Sequence, residues 1–263
     1  MSRAAKLNPP REPEARIYGM PSFRETLVIM PAYNEEATVA EVVGEVKSTL
    51  PGANCLVVND GSLDQTSAIA RAAGATVLDL PFNLGVGAAM RLGFRYALEH
   101  GYRFVVQLDS DGQHNPRDVP LLLNELDRYD IVIGARFAGA GDYSVHGPRK
   151  WAMSALSASL SRIARTPLTD VTSGFKAIGP RALRQFANDY PAEYLGDTIE
   201  ALVLASRAGC SVTQVPVAMR PRLGGEPSHN PIKSGVYLTR AVMALVIALW
   251  RSPNTEREPA IRL

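Results

Sequence analysis

Cysteine is scarce in this chain of 263 residues, which contains only Cys55 and Cys210. Each lies within an apolar segment, so we interpret both as small buried apolar residues and not as a disulfide or a metal-binding pair. This interpretation excludes a disulfide-rich secreted scaffold and fits a reducing cytosol. The apolar N-terminal segment of a secretory signal is also absent, and we expect the polar, basic residues 1–24 to form a flexible arm.

The chain also lacks an excess of charge of one sign and an apolar run long enough to span a membrane. The net charge is +2, which gives no indication of a nucleic-acid partner. The apolar stretch 236–250 would be about 22 Å long as a helix, whereas the hydrocarbon layer is about 30 Å thick. We expect this stretch to form either an amphipathic helix at a membrane interface or a helix that packs on the domain or on a second subunit.

Short apolar runs alternate with helix-length segments, which is typical of an α/β fold with a mostly parallel, doubly wound sheet. The predicted strands are 26–30, 55–60, 75–80, 103–109, 130–136 and 210–219. The predicted helices are 35–50, 63–74, 85–101, 116–129 and 194–207. Polar loops follow the first four strands. Ligands of such sheets bind at the carboxyl ends of the strands, so these loops predict a site.

Two carboxylates, Asp109 and Asp111, follow the fourth predicted strand and are separated by one residue. Carboxylates this close repel each other unless a cation lies between them or one of them is protonated. Asp and Gly also favour simple turns, which is the alternative interpretation of this stretch. We predict that the pair binds Mg²⁺ or Mn²⁺, with the amide oxygen of Gln113 as a further ligand. His114 is equally well explained as a surface residue.

The chain resembles the family 2 glycosyltransferases with the GT-A fold, and within them the polyprenyl-phosphate (dolichyl-phosphate-like) sugar synthases. The resemblance rests on five motifs in the family's order: MPAYNEE, VVNDGSLDQT, NLGVGAAMRLGF, QLDSDGQH and TSGFKA. It covers roughly residues 25–225 and is specific as an ordered set. The stretch GVGAAMRLG does not have the GxGxxG spacing of a dinucleotide site, because Met90 occupies the place of the third glycine.

The resemblance implies a metal-dependent hexosyltransferase that moves a sugar, with inversion, from a nucleotide sugar to a polyprenyl phosphate. UDP is the expected nucleotide and GDP the alternative. Two other functions stay open: the same fold acting on a glycan or small-molecule hydroxyl, and a non-catalytic nucleotide-binding protein. The implied location is the cytoplasmic face of the plasma membrane with peripheral lipid contact. A homo-oligomer or a membrane-protein partner stays open, and no nucleic acid is expected.

The resemblance also implies nucleotide-sugar contacts from ten residues of the strand-end loops: Pro31, Ala32, Tyr33, Asn34, Glu35, Asp60, Asn83, Gly85, Asp109 and Ser110. Asp60 would accept a hydrogen bond from a nucleobase N–H. Asn34 also fits a helix N-cap followed by acids in the first turn, and both roles can hold together. The implied metal ligands are Asp109, Asp111 and Gln113.

The acceptor decides what the second half of the chain must supply. A sugar hydroxyl needs a general base, whereas a phosphate, with a second pKa of about 6, needs cations to hold it. The residues implied for acceptor phosphate are Arg136, Arg149, Lys150 and Arg222. The residues implied for catalysis are Asp109, Asp111, Arg136 and Asp170, of which Asp170 would order the loop under the sugar. The role of Asp197 and Glu200 stays open.

Three parts of the chain follow from these expectations. Residues 1–24 form the flexible arm, residues 25–225 the GT-A catalytic domain, and residues 226–263 a lid loop and the C-terminal helix. The lid is expected because the stretch GGEPSHNP, at 224–231, is rich in glycine and proline.

Overall fold

The computed structural model describes residues 21–136, 148–191 and 197–224. The strands of this part are β1 (Thr26–Ala32), β2 (Asn54–Asn59), β3 (Thr76–Asp79), β4 (Phe104–Gln107), β5 (Ile131–Ala135), β6 (Lys176–Ile178) and β7 (Val212–Pro216). They form one seven-stranded sheet in the order β3-β2-β1-β4-β6-β5-β7. β6 is antiparallel to β4 and β5, and the other neighbouring pairs are parallel.

The helices of the described residues alternate with these strands along most of the chain. They are α1 (Val39–Thr49), α2 (Thr66–Ala72), α3 (Val86–Glu99), α4 (Val119–Glu125), α5 (Pro148–Ala164), α6 (Pro180–Asn188) and α7 (Asp197–Arg207). Each strand and helix predicted between residues 26 and 219 is present, with ends shifted by a few residues. β6, α5 and α6 have no counterpart among the predicted elements, and β6 is too short to show a periodicity.

Helices cover both faces of the sheet because the strands place apolar side chains on both faces. Leu27 and Ile29 of β1 face a cluster that includes α3, α5, α6 and α7. Val28 and Met30 face a second cluster that includes α1, α2 and α4. None of these four side chains is more than 1% exposed. The predicted α/β class with a mostly parallel sheet is therefore confirmed.

The topology brings the polar loops to one edge of the sheet. β1 to β5 all run in the same direction, so their carboxyl ends line up there. β6 runs the opposite way and therefore begins at that edge, which places the loop 170–175 beside the loops after β4 and β5.

Two of the predicted C-terminal features lie outside the described residues: the apolar helix at 236–250, and the lid loop from residue 225 onward. The first 20 residues of the predicted arm also lie outside them. Within residues 21–136, 148–191 and 197–224, no helix is long and apolar enough to cross a bilayer. The limits of the catalytic domain, 25–225, remain a prediction.

Two helical glycines offer a matched test of the packing that supports β1. A Cβ on Gly93 of α3 would lie 2.7 Å from Cγ2 of Ile29, whereas a Cβ on Gly44 of α1 would meet nothing within 4 Å. We expect Gly93→Ala to lower the free energy of unfolding by about 1–3 kcal/mol through overpacking. We expect Gly44→Ala to raise it by about 0.5–1 kcal/mol through helix propensity. Urea unfolding measures both free-energy changes. Equal changes in the two variants would contradict the close packing of Gly93 against Ile29.

Candidate active site

Hydrogen bonds connect the loop after β1 to the loop after β2, and together the two loops form one wall of the site at the sheet edge. The N–H of Asn34 donates to Oγ of Ser62 (2.9 Å), and Oδ1 of Asn34 accepts from the N–H of Leu63 (2.9 Å). The N–H of Glu35 donates to Oγ1 of Thr66 (2.8 Å). Asn34 has a φ of 54°, a left-handed conformation that asparagine tolerates better than most residues. The wall is therefore held by reciprocal contacts between the two loops.

Asn34 does not cap α1, so its interpretation as a helix N-cap is wrong. The helix begins at Val39, with Thr38 in the cap position. The Thr38 hydroxyl donates to the carbonyl of Ser110 (2.8 Å), and the Ser110 hydroxyl donates to the carbonyl of Pro31 (3.0 Å). These two bonds join the loop after β4 to the end of β1 and to the loop that follows it.

Asp60 holds the loop after β3 in place. Its two carboxylate oxygens accept the N–H groups of Leu84 (2.7 Å) and Gly85 (2.9 Å), and the residue is buried. Burial raises the pKa of Asp60, although the two backbone bonds act in the opposite direction. Gly85 has a φ of 92°, which favours glycine. A nucleobase contact of Asp60 would have to use the carboxylate lone pairs that remain.

The other predicted nucleotide-sugar residues lie along the same edge with different exposures. Tyr33 is 43% exposed, so its ring is accessible for stacking on a nucleobase. Ala32 is buried at the end of β1, and Asn83 is half-buried in the loop after β3. The structure thus brings all ten predicted residues to one edge of the sheet, with Pro31 and Ala32 at the end of β1 and the others in the loops.

The acid pair lies at this edge directly after β4. Asp111 is 8% exposed, and its Oδ1 accepts the N–H of Gln113 (3.0 Å). Burial raises the pKa of Asp111, and the charge of the nearby Asp109 acts in the same direction. Gly112 has a φ of 77°, and the side chain of Leu223 occupies the space that a Cβ would need. The loop therefore concentrates negative charge that a cation would stabilise.

Gly174 and His114 surround Asp109 and form what we call its cradle. Neither residue was assigned a role from the sequence. A Cβ on Gly174 would lie 2.9 Å from Oδ1 of Asp109, so only glycine leaves the carboxylate its space. Nδ1 of His114 accepts the N–H of Asp109 (3.2 Å), and the ring stacks on Phe175 with 5.0 Å between centroids. His114 is 3% exposed, so its interpretation as a surface residue is wrong.

These residues fit a divalent cation. Asp109, Asp111 and Gln113 offer the hard oxygen ligands that Mg²⁺ and Mn²⁺ prefer, and Gly174 keeps one carboxylate unobstructed. In the part of the chain that the structure describes, no group of three or more His, Cys, Asp or Glu side chains could hold a metal. A cation here would therefore need oxygens from a substrate in addition to two carboxylates and an amide.

A second charged pair joins the end of β5 to the loop before β6. Oδ2 of the fully buried Asp170 accepts Nε of Arg136 (2.7 Å), and Oδ1 accepts Nη2 (3.3 Å). The Thr172 hydroxyl donates to Oδ1 (3.0 Å) and accepts from Nη2 of Arg136 (3.1 Å). Burial acts to raise the pKa of Asp170, but the bonds and charge of Arg136 outweigh it and lower the pKa. Asp170 therefore positions the Arg136 guanidinium and is not accessible to a substrate.

The other predicted cations fall in two places. Arg149 and Lys150 lie in the first turn of α5, where the side chains are outside the described part of the structure. Arg222 lies against Glu35 and Asp111, at the sheet edge. The structure thus brings Arg136 and Arg222 to the edge that carries the acid pair. The open candidates Asp197 and Glu200 both belong to α7.

Known proteins resemble this chain over most of its length. The family model described as Glycosyl transferase family 2 matches residues 27–189. The undecaprenyl-phosphate mannosyltransferase of Micrococcus luteus is 34% identical over 208 residues, which cover 76% of this chain and 85% of that protein. The polyprenol monophosphomannose synthase of Mycolicibacterium smegmatis is 30% identical over 208 residues, which cover 76% of this chain and 78% of that protein.

A solved structure shows the same architecture. Glucosyl-3-phosphoglycerate synthase from Mycobacterium tuberculosis, in complex with Mn²⁺, UDP-glucose and phosphoglyceric acid, aligns with a TM-score of 0.65. The alignment covers 87% of this chain and 81% of that chain at 23% sequence identity. This likeness confirms the GT-A-like fold.

A methyl group at Gly174 tests the cradle around Asp109. We expect Gly174→Ala to weaken Mn²⁺ binding about tenfold, or by about 1.4 kcal/mol, because the new Cβ would displace the Asp109 carboxylate. Isothermal titration calorimetry with Mn²⁺ in the presence of UDP measures the affinity. Gly44→Ala, which adds the same methyl group in open space, is the matched control. An unchanged affinity in a folded Gly174→Ala protein would contradict the cradle.

The Asp170–Arg136 pair predicts an acid-sensitive contribution to stability. Folding lowers the pKa of Asp170, so the ionised pair stabilises the fold above the ordinary pKa of 3.8. This stabilisation is lost as the pH falls through the lowered pKa. We expect Asp170→Asn to cost about 3 kcal/mol at pH 7, because the Arg136 guanidinium loses its charged partner. The cost should shrink below about pH 4.

Urea unfolding at a series of pH values measures this difference. Asp189→Asn, at the end of α6, controls for the general effect of removing a carboxylate. A difference between wild type and Asp170→Asn that stays constant from neutral to acidic pH would contradict the ionised pair.

Proposed function

The chain belongs to glycosyl transferase family 2, and we propose that it transfers a sugar from a nucleotide sugar to the phosphate of a polyprenyl phosphate. Membership of the family makes the protein an enzyme of the glycosyltransferase class. Support for the acceptor comes from the two bacterial relatives, whose names contain undecaprenyl-phosphate and polyprenol.

The observation that carries the choice of acceptor is the Arg136–Asp170 pair. A hydroxyl acceptor would need a general base, and Asp170 is unsuited to that role because both of its oxygens already accept hydrogen bonds and the carboxylate is buried. A phosphate oxygen is already anionic at neutral pH and needs a cation to orient it. Arg136 offers that cation at the sheet edge, and Asp170 holds its guanidinium in one orientation.

The donor would bind across the loops after β1, β2, β3 and β4. Tyr33 would lie against the base, and Asp60 would fix the loop that covers the nucleoside. Asp109, Asp111 and Gln113 would hold a divalent cation, which stabilises the charge that develops on the leaving diphosphate. The solved neighbour binds Mn²⁺ and UDP-glucose, which supports a divalent ion and favours UDP, whereas the names of the relatives make mannose a second sugar to test.

In the transfer, a phosphate oxygen of the acceptor forms a bond to the anomeric carbon while the bond from that carbon to the diphosphate breaks. Attack opposite the departing diphosphate inverts the anomeric centre. The products are a polyprenyl sugar phosphodiester and a nucleoside diphosphate, and no proton has to be removed from the acceptor. Since the acceptor resides in a bilayer, we place the reaction at the cytoplasmic membrane face with the protein in peripheral contact.

Two acceptors of equal chain length, polyprenyl phosphate and the corresponding polyprenol, test this proposal. Each is incubated in detergent with Mn²⁺ and radiolabelled UDP-glucose or GDP-mannose. We expect label in an organic-soluble, acid-labile product with the phosphate alone, because only the phosphate is already deprotonated. Label in the polyprenol product, or only in a water-soluble glycan, would reject the phosphate acceptor.

Asp111→Asn is the matched variant for the same assay. We expect it to lower the rate of transfer by about 100-fold or more, with folding checked by thermal unfolding. Asp118→Asn, in the short 3₁₀ helix Pro116–Asp118 that follows the same loop, controls for the loss of a nearby carboxylate. Full activity of Asp111→Asn would contradict the proposal that Asp111 is a metal ligand. Nucleotide-sugar binding without transfer to any acceptor would favour a non-catalytic protein.

A further inference from the structure

Arg222 occupies the acidic cluster in which the proposed function places a divalent cation. Its Nη2 donates to Oε1 of Glu35, and its Nη1 lies 3.5 Å from Oδ2 of Asp111. All three side chains are largely shielded from solvent, and the most exposed of them, that of Arg222, is 22% exposed. The guanidinium therefore compensates the charge of this cluster within the protein itself.

A strap formed by residues 220–224 holds Arg222 in this place. The N–H of Arg220 donates to the carbonyl of Gln113 (2.9 Å), and the N–H of Leu223 donates to the carbonyl of Asp111 (3.2 Å). The strap thus bonds to the backbone of the loop that bears the acid pair. These two bonds fix the position of Arg222 relative to that loop.

We propose that Arg222 is the counter-cation of the metal-free site, and that a divalent ion together with the donor diphosphate displaces it from Asp111. The inference rests on the proposed function, because it takes Asp109 and Asp111 as metal ligands. A guanidinium and a divalent ion compete for the same carboxylate, and two neighbouring cations repel each other. The two effects are linked. Arg222 lowers the affinity of the site for the ion by a certain factor, and the bound ion weakens the Arg222–Asp111 contact by the same factor.

Displacement of Arg222 from Asp111 would affect the order in which the divalent ion and the nucleotide donor bind. An ion that arrives alone must expel the guanidinium from Asp111 without offering it a new partner, so it binds weakly. A nucleotide donor brings diphosphate oxygens, which can accept hydrogen bonds from an arginine while they also bind the ion. Ion and donor therefore bind cooperatively, and Arg222 is transferred from a carboxylate to a phosphate.

Replacement of Arg220 distinguishes the counter-cation role of Arg222 from a purely structural role. It lies on the same strap, and its guanidinium bonds Glu45 (2.8 Å) and Asn115, neither of which belongs to the acid pair. If Arg222 only anchored the strap, its replacement should have the same effect on ion binding as the replacement of Arg220. If Arg222 is the counter-cation, the two replacements should act differently.

Binding of Mn²⁺, measured by electron paramagnetic resonance of the free ion, tests the inference without any transfer assay. Without nucleotide, we expect Arg222→Met to bind Mn²⁺ about tenfold more tightly than wild type, because the competing charge is gone. Arg222→Lys keeps the charge and Arg220→Met keeps Arg222, so both should stay within about twofold of wild type. Added UDP should strengthen Mn²⁺ binding more in wild type than in Arg222→Met. Thermal unfolding checks that each variant is folded.

The possible outcomes separate this inference from the proposed function. Equal or weaker Mn²⁺ binding by folded Arg222→Met, beside normal binding by wild type with UDP, would overturn the counter-cation role alone. Tighter binding by Arg220→Met to the same degree would also overturn it, since the strap and not the charge would then be responsible. Absence of Mn²⁺ binding by every variant, with and without UDP, would overturn both the metal site and the inference.

Discussion

Negative charge gathered at one edge of the sheet is the constraint on which the rest of the site depends. Four carboxylates meet there: Glu35, Asp109, Asp111 and Asp170. Burying such groups without compensation is costly, so positive partners are required. Arg136 pairs with the fully buried carboxylate, and Arg222 lies between two of the others. The charge of the acid pair exceeds what one guanidinium compensates, and this surplus is what favours the divalent cation proposed for this edge.

The reversed strand β6 connects the two halves of this edge. Because it runs against its neighbours, the loop 170–175 lies between the loops after β4 and β5. One end of that loop holds Arg136 through Asp170, and the other end makes space for Asp109 through Gly174. A short segment thus sets the position of the acid pair relative to the cation that is proposed to bind the acceptor. Substitutions in this loop should therefore affect both the proposed binding of the metal ion and the proposed binding of the acceptor.

Prediction from sequence succeeded where the cause is local. The strands around Val28 and Val57 are apolar runs bounded by polar loops, and the acid pair is visible as two residues in one motif. Prediction from sequence failed for His114 and Asn34, because the residues around them come from other parts of the chain. The burial of His114 depends on Phe175, and the hydrogen bonds of Asn34 depend on the loop after β2. Neither partner can be inferred from the neighbouring residues in the sequence.

The amino-acid sequence by itself determined the α/β class, the order of the polar loops and the place of the acid pair, since periodicity and strand-end position are properties of short segments. Only the tertiary structure decided which charges meet. Which carboxylates Arg222 contacts, and whether Asp170 is accessible or committed to Arg136, depends on strand order and on a reversed strand of three residues. Ion pairs between distant segments are set by how the sheet is assembled, and no local pattern encodes that assembly.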